Sequence, residues 1–107
     1  MSNAYLMSAI IQDISFINGS EGKSVAIFIH LKTSDDLANF QIFCQREDND
    51  SLEFNLGILT EFMVSMTPVN VISDPRQTML LDGGLIIEAP CRNQRVELRG
   101  SNWHQVV

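Results

Sequence analysis

Between Ser24 and Lys32 every second residue is apolar: Val25, Ile27, Ile29 and Leu31 alternate with Ala26, Phe28, His30 and Lys32. A repeat of two is that of a pleated strand with one buried face, and a helix cannot satisfy it. The pattern resumes from Phe40 to Arg46, with Phe40, Ile42 and Cys44 against Gln41, Phe43 and Gln45. The polar segment Thr33 to Asn39 between the two runs predicts a hairpin. Centring its loop on Asp35 and Asp36 pairs Leu31 with Phe40, Ile29 with Ile42 and Ile27 with Cys44, apolar against apolar throughout.

Upstream, Ile10 to Ile17 precedes the turn-rich run Asn18, Gly19, Ser20, Glu21, Gly22. Centring that turn sets Phe16 opposite Val25, Ile14 opposite Ile27, Gln12 opposite Ile29 and Ile10 opposite Leu31, and only Gln12 breaks the face. The expectation is a three-stranded antiparallel meander. Its buried side carries Ile10, Ile14, Phe16, Val25, Ile27, Ile29, Leu31, Phe40, Ile42 and Cys44. Its reverse side carries Asp13, Ser15, Phe28, His30, Gln41 and Phe43, with Phe28 directly opposite Phe43.

Leu52, Leu56, Leu59, Met63 and Met66 then recur at helical spacing, widened by Phe54, Ile58 and Phe62. Asp50 and Glu53 fit an acidic capping box and Pro68 a stop, so a helix is expected from Ser51 to Met66, covering the meander. The competing pattern is a fourth strand over Leu52, Phe54 and Leu56, ended by Gly57 with a shorter helix behind it. In the last third, Gln77 to Leu81 and Leu85 to Ala89 flank Asp82, Gly83 and Gly84, the signal of a tight hairpin. Gln94 to Arg99 alternates with Val96 and Leu98 inward, and Gly100 to Asn102 turns the chain into a last strand, Trp103 to Val107. The fold class expected is α+β: an antiparallel sheet, a meander in the first half and a hairpin in the second, with one principal helix packed on one face. An all-β fold with a short helix is the alternative.

With 107 residues, 45% of them hydrophobic and 19% charged, the chain fills one domain, 1–107, and is not a disordered sequence. No apolar run reaches the roughly 20 residues of a membrane-spanning helix. The N-terminal run has no basic residue ahead of it, so it does not read as a secretory signal. Two cysteines are too few to staple a secreted scaffold, which makes reduced thiols in a cytoplasm the expectation. The net charge of −6 is carried by the first half, where nine acids face three bases up to Glu61, while the rest balances four against four. A surface of that sign disfavours nucleic acid and anionic lipid and admits a basic protein partner.

Gly22, Lys23 and Ser24 end like a phosphate-binding loop, but Ile17 stands where its first glycine belongs and a strand follows where a helix should. Cys44 and His30 are the thiol and base of a conceivable dyad, yet the alternation sends them to opposite faces. Cys91, His30 and His104 lack metal-ligand spacing, and the carboxylates at Asp35 and Asp36 and at Glu47, Asp48 and Asp50 lack that of a calcium loop. No cofactor is expected. Arg92, Arg95 and Arg99 form a small basic run that pairing with the acidic half would occupy.

What remains is the reverse face, where Phe28 and Phe43 lie within a polar rim that includes His30, Gln41 and Asp13, a composition like the centre of an interface. The competing expectation is that the C-terminal strands fold over it as a second layer. The function that follows is a non-catalytic acidic interaction module, an inhibitor, immunity-type or decoy protein, that binds a basic partner or itself as a homodimer. Alternatives are a small-molecule-binding or catalytic domain with a pocket between sheet and helix, using His30 or His104, and a structural component of a larger assembly.

Overall fold

The alternating run becomes β2 (Ser24–Lys32), with Val25, Ile27, Ile29 and Leu31 buried as expected. The computed structural model describes residues 3–73, 81–82 and 84–106. Besides β2 these contain β1 (Asn3–Asn18), β3 (Leu37–Gln45), α1 (Leu52–Val64), β4 (Val69–Ser73), β5 (Leu81–Asp82), β6 (Leu85–Ala89), β7 (Gln94–Leu98) and β8 (Ser101–Val106). The strands form one antiparallel sheet in the order β5-β8-β3-β2-β1-β4-β6-β7, and α1 packs on its apolar side against β1 and β7. This is the expected α+β architecture. The helix contributes Leu52, Leu56, Leu59 and Phe62 to the same apolar cluster as the strands.

Over β2–β3, and over β1–β2 from Asp13 onward, the meander has the expected faces and a register displaced by two residues. The β2–β3 loop is only Thr33 to Asp36, closed by the Thr33 N–H on the Asp36 carbonyl at 2.9 Å. The Thr33 hydroxyl accepts from the N–H groups of Asp35 and Asp36 at 3.3 and 3.0 Å, so a side chain holds the turn tight. Leu37, Ala38 and Asn39 are thereby drawn into β3. Ile29 faces Phe40, Ile27 faces Ile42 and Val25 faces Cys44. Phe28 therefore stands opposite Gln41 and not Phe43, whose partner is Ala26. On the other side Ile14 faces Ile29 and Phe16 faces Ile27. A slip of two leaves every side chain on its own face, since the pleat repeats after two residues.

Gln12, which broke the expected apolar face, is skipped by a β-bulge between Ile11 and Asp13. Continued pairing from Asp13 would have put the Gln12 amide into the core. The bulge places Ile11 opposite Leu31 instead, so Ile11 is buried, while Ile10, expected inward, faces Lys32 and is only partly buried. Phe16, also expected inward, keeps its place opposite Ile27 but is 55% exposed. Two more irregularities, between Ala4 and Leu6 and between Leu6 and Ala9, bend the half of β1 that pairs with β4. Ser8 sits there with φ of 53°, its N–H bonded to the Asn70 side chain at 3.0 Å.

This bending curls the sheet back on itself. β5 and β7 are its two margins, yet two residues link Asp82 to Leu85 and two link Leu98 to Ser101. Three peptide steps span about 11 Å at most, so the β5–β8 margin lies close to the β6–β7 margin. Gly100 makes the second of these corners possible: a Cβ there would be built into the carbonyl oxygen of Phe43. The apolar interior lies within the curl, under α1.

The expected hairpin across Asp82, Gly83 and Gly84 does not form. β6 has both edges occupied, by β4 and β7, while Leu81 and Asp82 pair with Asn102 and Ser101 of β8. Residues 74–80, and with them most of the strand expected from Gln77, lie outside the described residues. β4 was not anticipated, although Val69 and Val71 alternate into the core. β7 turns Val96 and Leu98 inward as expected. The helix begins behind Ser51, which has φ of 61°, and no side chain caps it. The expected capping box is absent because Glu53 is drawn to the Arg46 guanidinium. Phe54 and Met66, placed on the apolar stripe by spacing, are exposed.

Candidate functional site

The reverse side of β1–β3 is an outer face of the sheet. The C-terminal strands do not fold over it as a second layer; β8 extends the sheet from the free edge of β3, and Asp13, Ser15, His30 and Phe43 remain exposed. Register orders this face into ranks across the strands: Ile17, Ala26 and Phe43; Ser15, Phe28 and Gln41; Asp13, His30 and Asn39. Phe28 and Gln41 are half-buried. Trp103 stands opposite Gln41 in the register of β8.

The first rank concentrates the apolar surface. Ile17 is 64% and Phe43 46% exposed, on either side of Ala26. A large, a small and a large residue in a row border a depression of about 320 Å³, lined also by Gln45 and by Asn18, Gly19, Ser24 and Val25 at the end of the β1–β2 hairpin. Apolar side chains left in water and arranged around a concavity are the usual centre of a contact surface. Ile17 and Ala26 were not among the expected contact residues. The alternation that placed Asp13 and Ser15 outward already pointed Ile17 the same way, and Ala26 is its cross-strand partner.

The remaining candidates separate in space. Cys44 is fully buried between the sheet and its covering elements, whereas His30 is exposed on the outer face, so they form no dyad. Burial pushes the Cys44 thiol up to about 11, the opposite of activation. The described residues hold no group of three or more His, Cys, Asp or Glu side chains placed to bind a metal ion. Gly22, Lys23 and Ser24 form a turn leading into β2, with no helix to hold phosphate. Arg92 pairs with Glu61 of α1 and lies over the Phe62 ring, 5.9 Å from its centroid. Arg95 pairs with Glu97 at 3.2 Å, so the three arginines do not converge on one anion.

A larger cleft, about 530 Å³, lies between the start of α1 and β7 and is walled by Asp48, Asn49, Asp50, Asn55, Arg95, Glu97 and Arg99. Its amides are engaged in holding the fold. Asn49 is buried; its Nδ2 donates to the Gln45 and Arg99 carbonyls at 2.8 and 2.9 Å, and its Oδ1 accepts from the Arg99 N–H at 2.8 Å. Asn55 donates to the Glu97 carbonyl at 3.4 Å. Together they close part of the free edge of β7, which leaves the outer face as the better candidate. No protein-family model matches the chain, and comparison with curated proteins and with solved structures returns no significant match.

Proposed function

We propose that this protein is a non-catalytic interaction module that engages another protein through the outer face of β1–β3. The observation that carries this reading is the exposed rank of Ile17, Ala26 and Phe43 beside half-buried Phe28, set among the polar side chains of Asp13, His30, Gln41 and Gln45. Leaving that much apolar surface in water costs free energy that a partner would recover. The thiol and imidazole that would serve catalysis lie apart, and in the cleft between α1 and β7 the amides of Asn49 and Asn55 are engaged with the Arg99 and Glu97 backbone. A cytoplasmic setting fits both cysteines being free. Among the described residues no helix is long and apolar enough to cross a membrane.

Light scattering over a range of concentration and salt, on the native chain and on the Phe28→Ala, Phe43→Ala double variant, tests the reading. Association, with itself or with a presented partner, is expected to be lost in the variant while its circular dichroism stays native. Association that survives both substitutions would place the contact elsewhere and overturn the proposal.

A further inference from the structure

Resting on that reading, we infer that the occupant of the outer face is a cationic partner, one that inserts a large apolar side chain between Ile17 and Phe43 and sets a neighbouring lysine or arginine beside Glu47. The depression above Ala26 shares Gln45 with a second one, about 340 Å³, lined by Gly22, Lys23, Arg46 and Glu47 at the end of β3. The two cations there are already taken. Lys23 pairs with Glu21 at 3.2 Å, and Arg46 holds Glu53 and, at 2.9 Å, the Asn18 side chain. Glu47 makes no ion pair among the described residues, nor do Asp48 and Asp50 just beyond it. The unmet charge next to the apolar depression is therefore negative, and an opposite charge on the partner completes it.

The same charges disfavour a second copy as occupant. The outer face ends in exposed, unpaired acids at both ends of the hairpin: Asp35 and Asp36 in the β2–β3 loop, Glu47 past the end of β3. Two such faces related by a two-fold axis along the strands would stack Glu47 on Glu47. With the axis across the strands, Glu47 would stack on Asp35 and Asp36. Either way like charges meet, with Lys32 alone to relieve them on that side of β2, and such juxtaposition excludes wrong partners.

Hexapeptides that carry leucine next to arginine, leucine next to glutamate, or serine next to arginine, flanked by glycines, are the probes, titrated into the full chain and followed by amide chemical shifts. The leucine–arginine peptide is expected to move Ala26, Phe43, Gln45 and Glu47. The other two should bind at least about twofold more weakly, the scale of one exposed ion pair. Ala26→Ile, which fills the depression with a strand-compatible side chain, should abolish the response. Glu47→Gln should weaken it about two- to fivefold without touching the apolar contact. An equal response to the leucine–glutamate peptide, or one unchanged in both variants, would overturn the inference. A dimer that Phe43→Ser dissolves would also overturn it while leaving the interaction reading in place. Neither peptide response nor self-association would bring down both.

Discussion

Cys44 shows what the residue scale settles. The alternation of Phe40, Ile42 and Cys44 sends the thiol inward, and the structure buries it completely. Desolvation favours the neutral thiol and lifts it from an ordinary 9.0 to about 11. Below pH 9.0 the group is neutral in both folded and unfolded chains, and its contribution to stability is fully present. Between there and about 11 only the unfolded chain ionises, so stability falls as pH rises. Urea midpoints measured from pH 8 to 11 are expected to fall more steeply for the native chain than for Cys44→Val; parallel slopes would contradict it. Glu53 is displaced the other way, held below the usual carboxylate range by its hydrogen bond from Arg46. Asn49 was not legible in the same manner, because nothing in a polar turn announces that its amide will meet Arg99, 50 residues on.

At the scale of elements, Asn49 acts at the end of β7, on Arg99 just past its last residue. That strand pairs on one side only, with β6, and an open edge invites another chain. The Asn49 amide meets Arg99 as an adjoining strand would, accepting from its N–H and donating to its carbonyl, and Asn55 covers Glu97. Asn49→Leu is expected to cost about 1–2 kcal/mol in urea unfolding, since it removes the three hydrogen bonds that the buried amide makes to the Gln45 and Arg99 backbone. A loss under about 0.5 kcal/mol, the usual effect of a surface change, would show that the edge does not depend on it. β1 makes the complementary point. Gln12 looked like a flaw in a strand, and the chain answers with a bulge that puts Ile11 in its place. The Asp82, Gly83, Gly84 signal failed for a different reason: a turn preference is local, whereas β6 gains more by pairing with both β4 and β7.

At the scale of the whole molecule, unpaired acids outnumber unpaired cations among the described residues. Asp13, Asp35, Asp36, Glu47, Asp48, Asp50 and Glu88 lack ion pairs among the described residues, against Lys32 and Arg99. Self-repulsion of that kind is screened by salt, while the exposed ion pairs contribute little, so raising NaCl from about 0.01 to 0.15 M should raise the melting temperature. A fall would mean that the ion pairs dominate. Legibility divides along the same line. The two faces of β2 and β3, the helix around Leu56 and Leu59, and the outward Phe43 were all readable, because period two and period 3.6 are properties of a short stretch of chain. They survive a register slip of two. The outer face as a candidate site was readable to the same degree, with Phe28, His30, Gln41, Phe43 and Asp13 correctly set on it, but its depression was not. Which residue stands opposite which depends on how the Thr33 hydroxyl shortens a loop. That placed Ala26, not Phe28, beside Phe43, and so made a hollow where an aromatic pair was expected. By itself, then, the sequence determined which side chains point inward and which outward. Only the tertiary structure decided their neighbours, because strand partners are chosen by competition among edges far apart in the chain and no local repeat records the outcome.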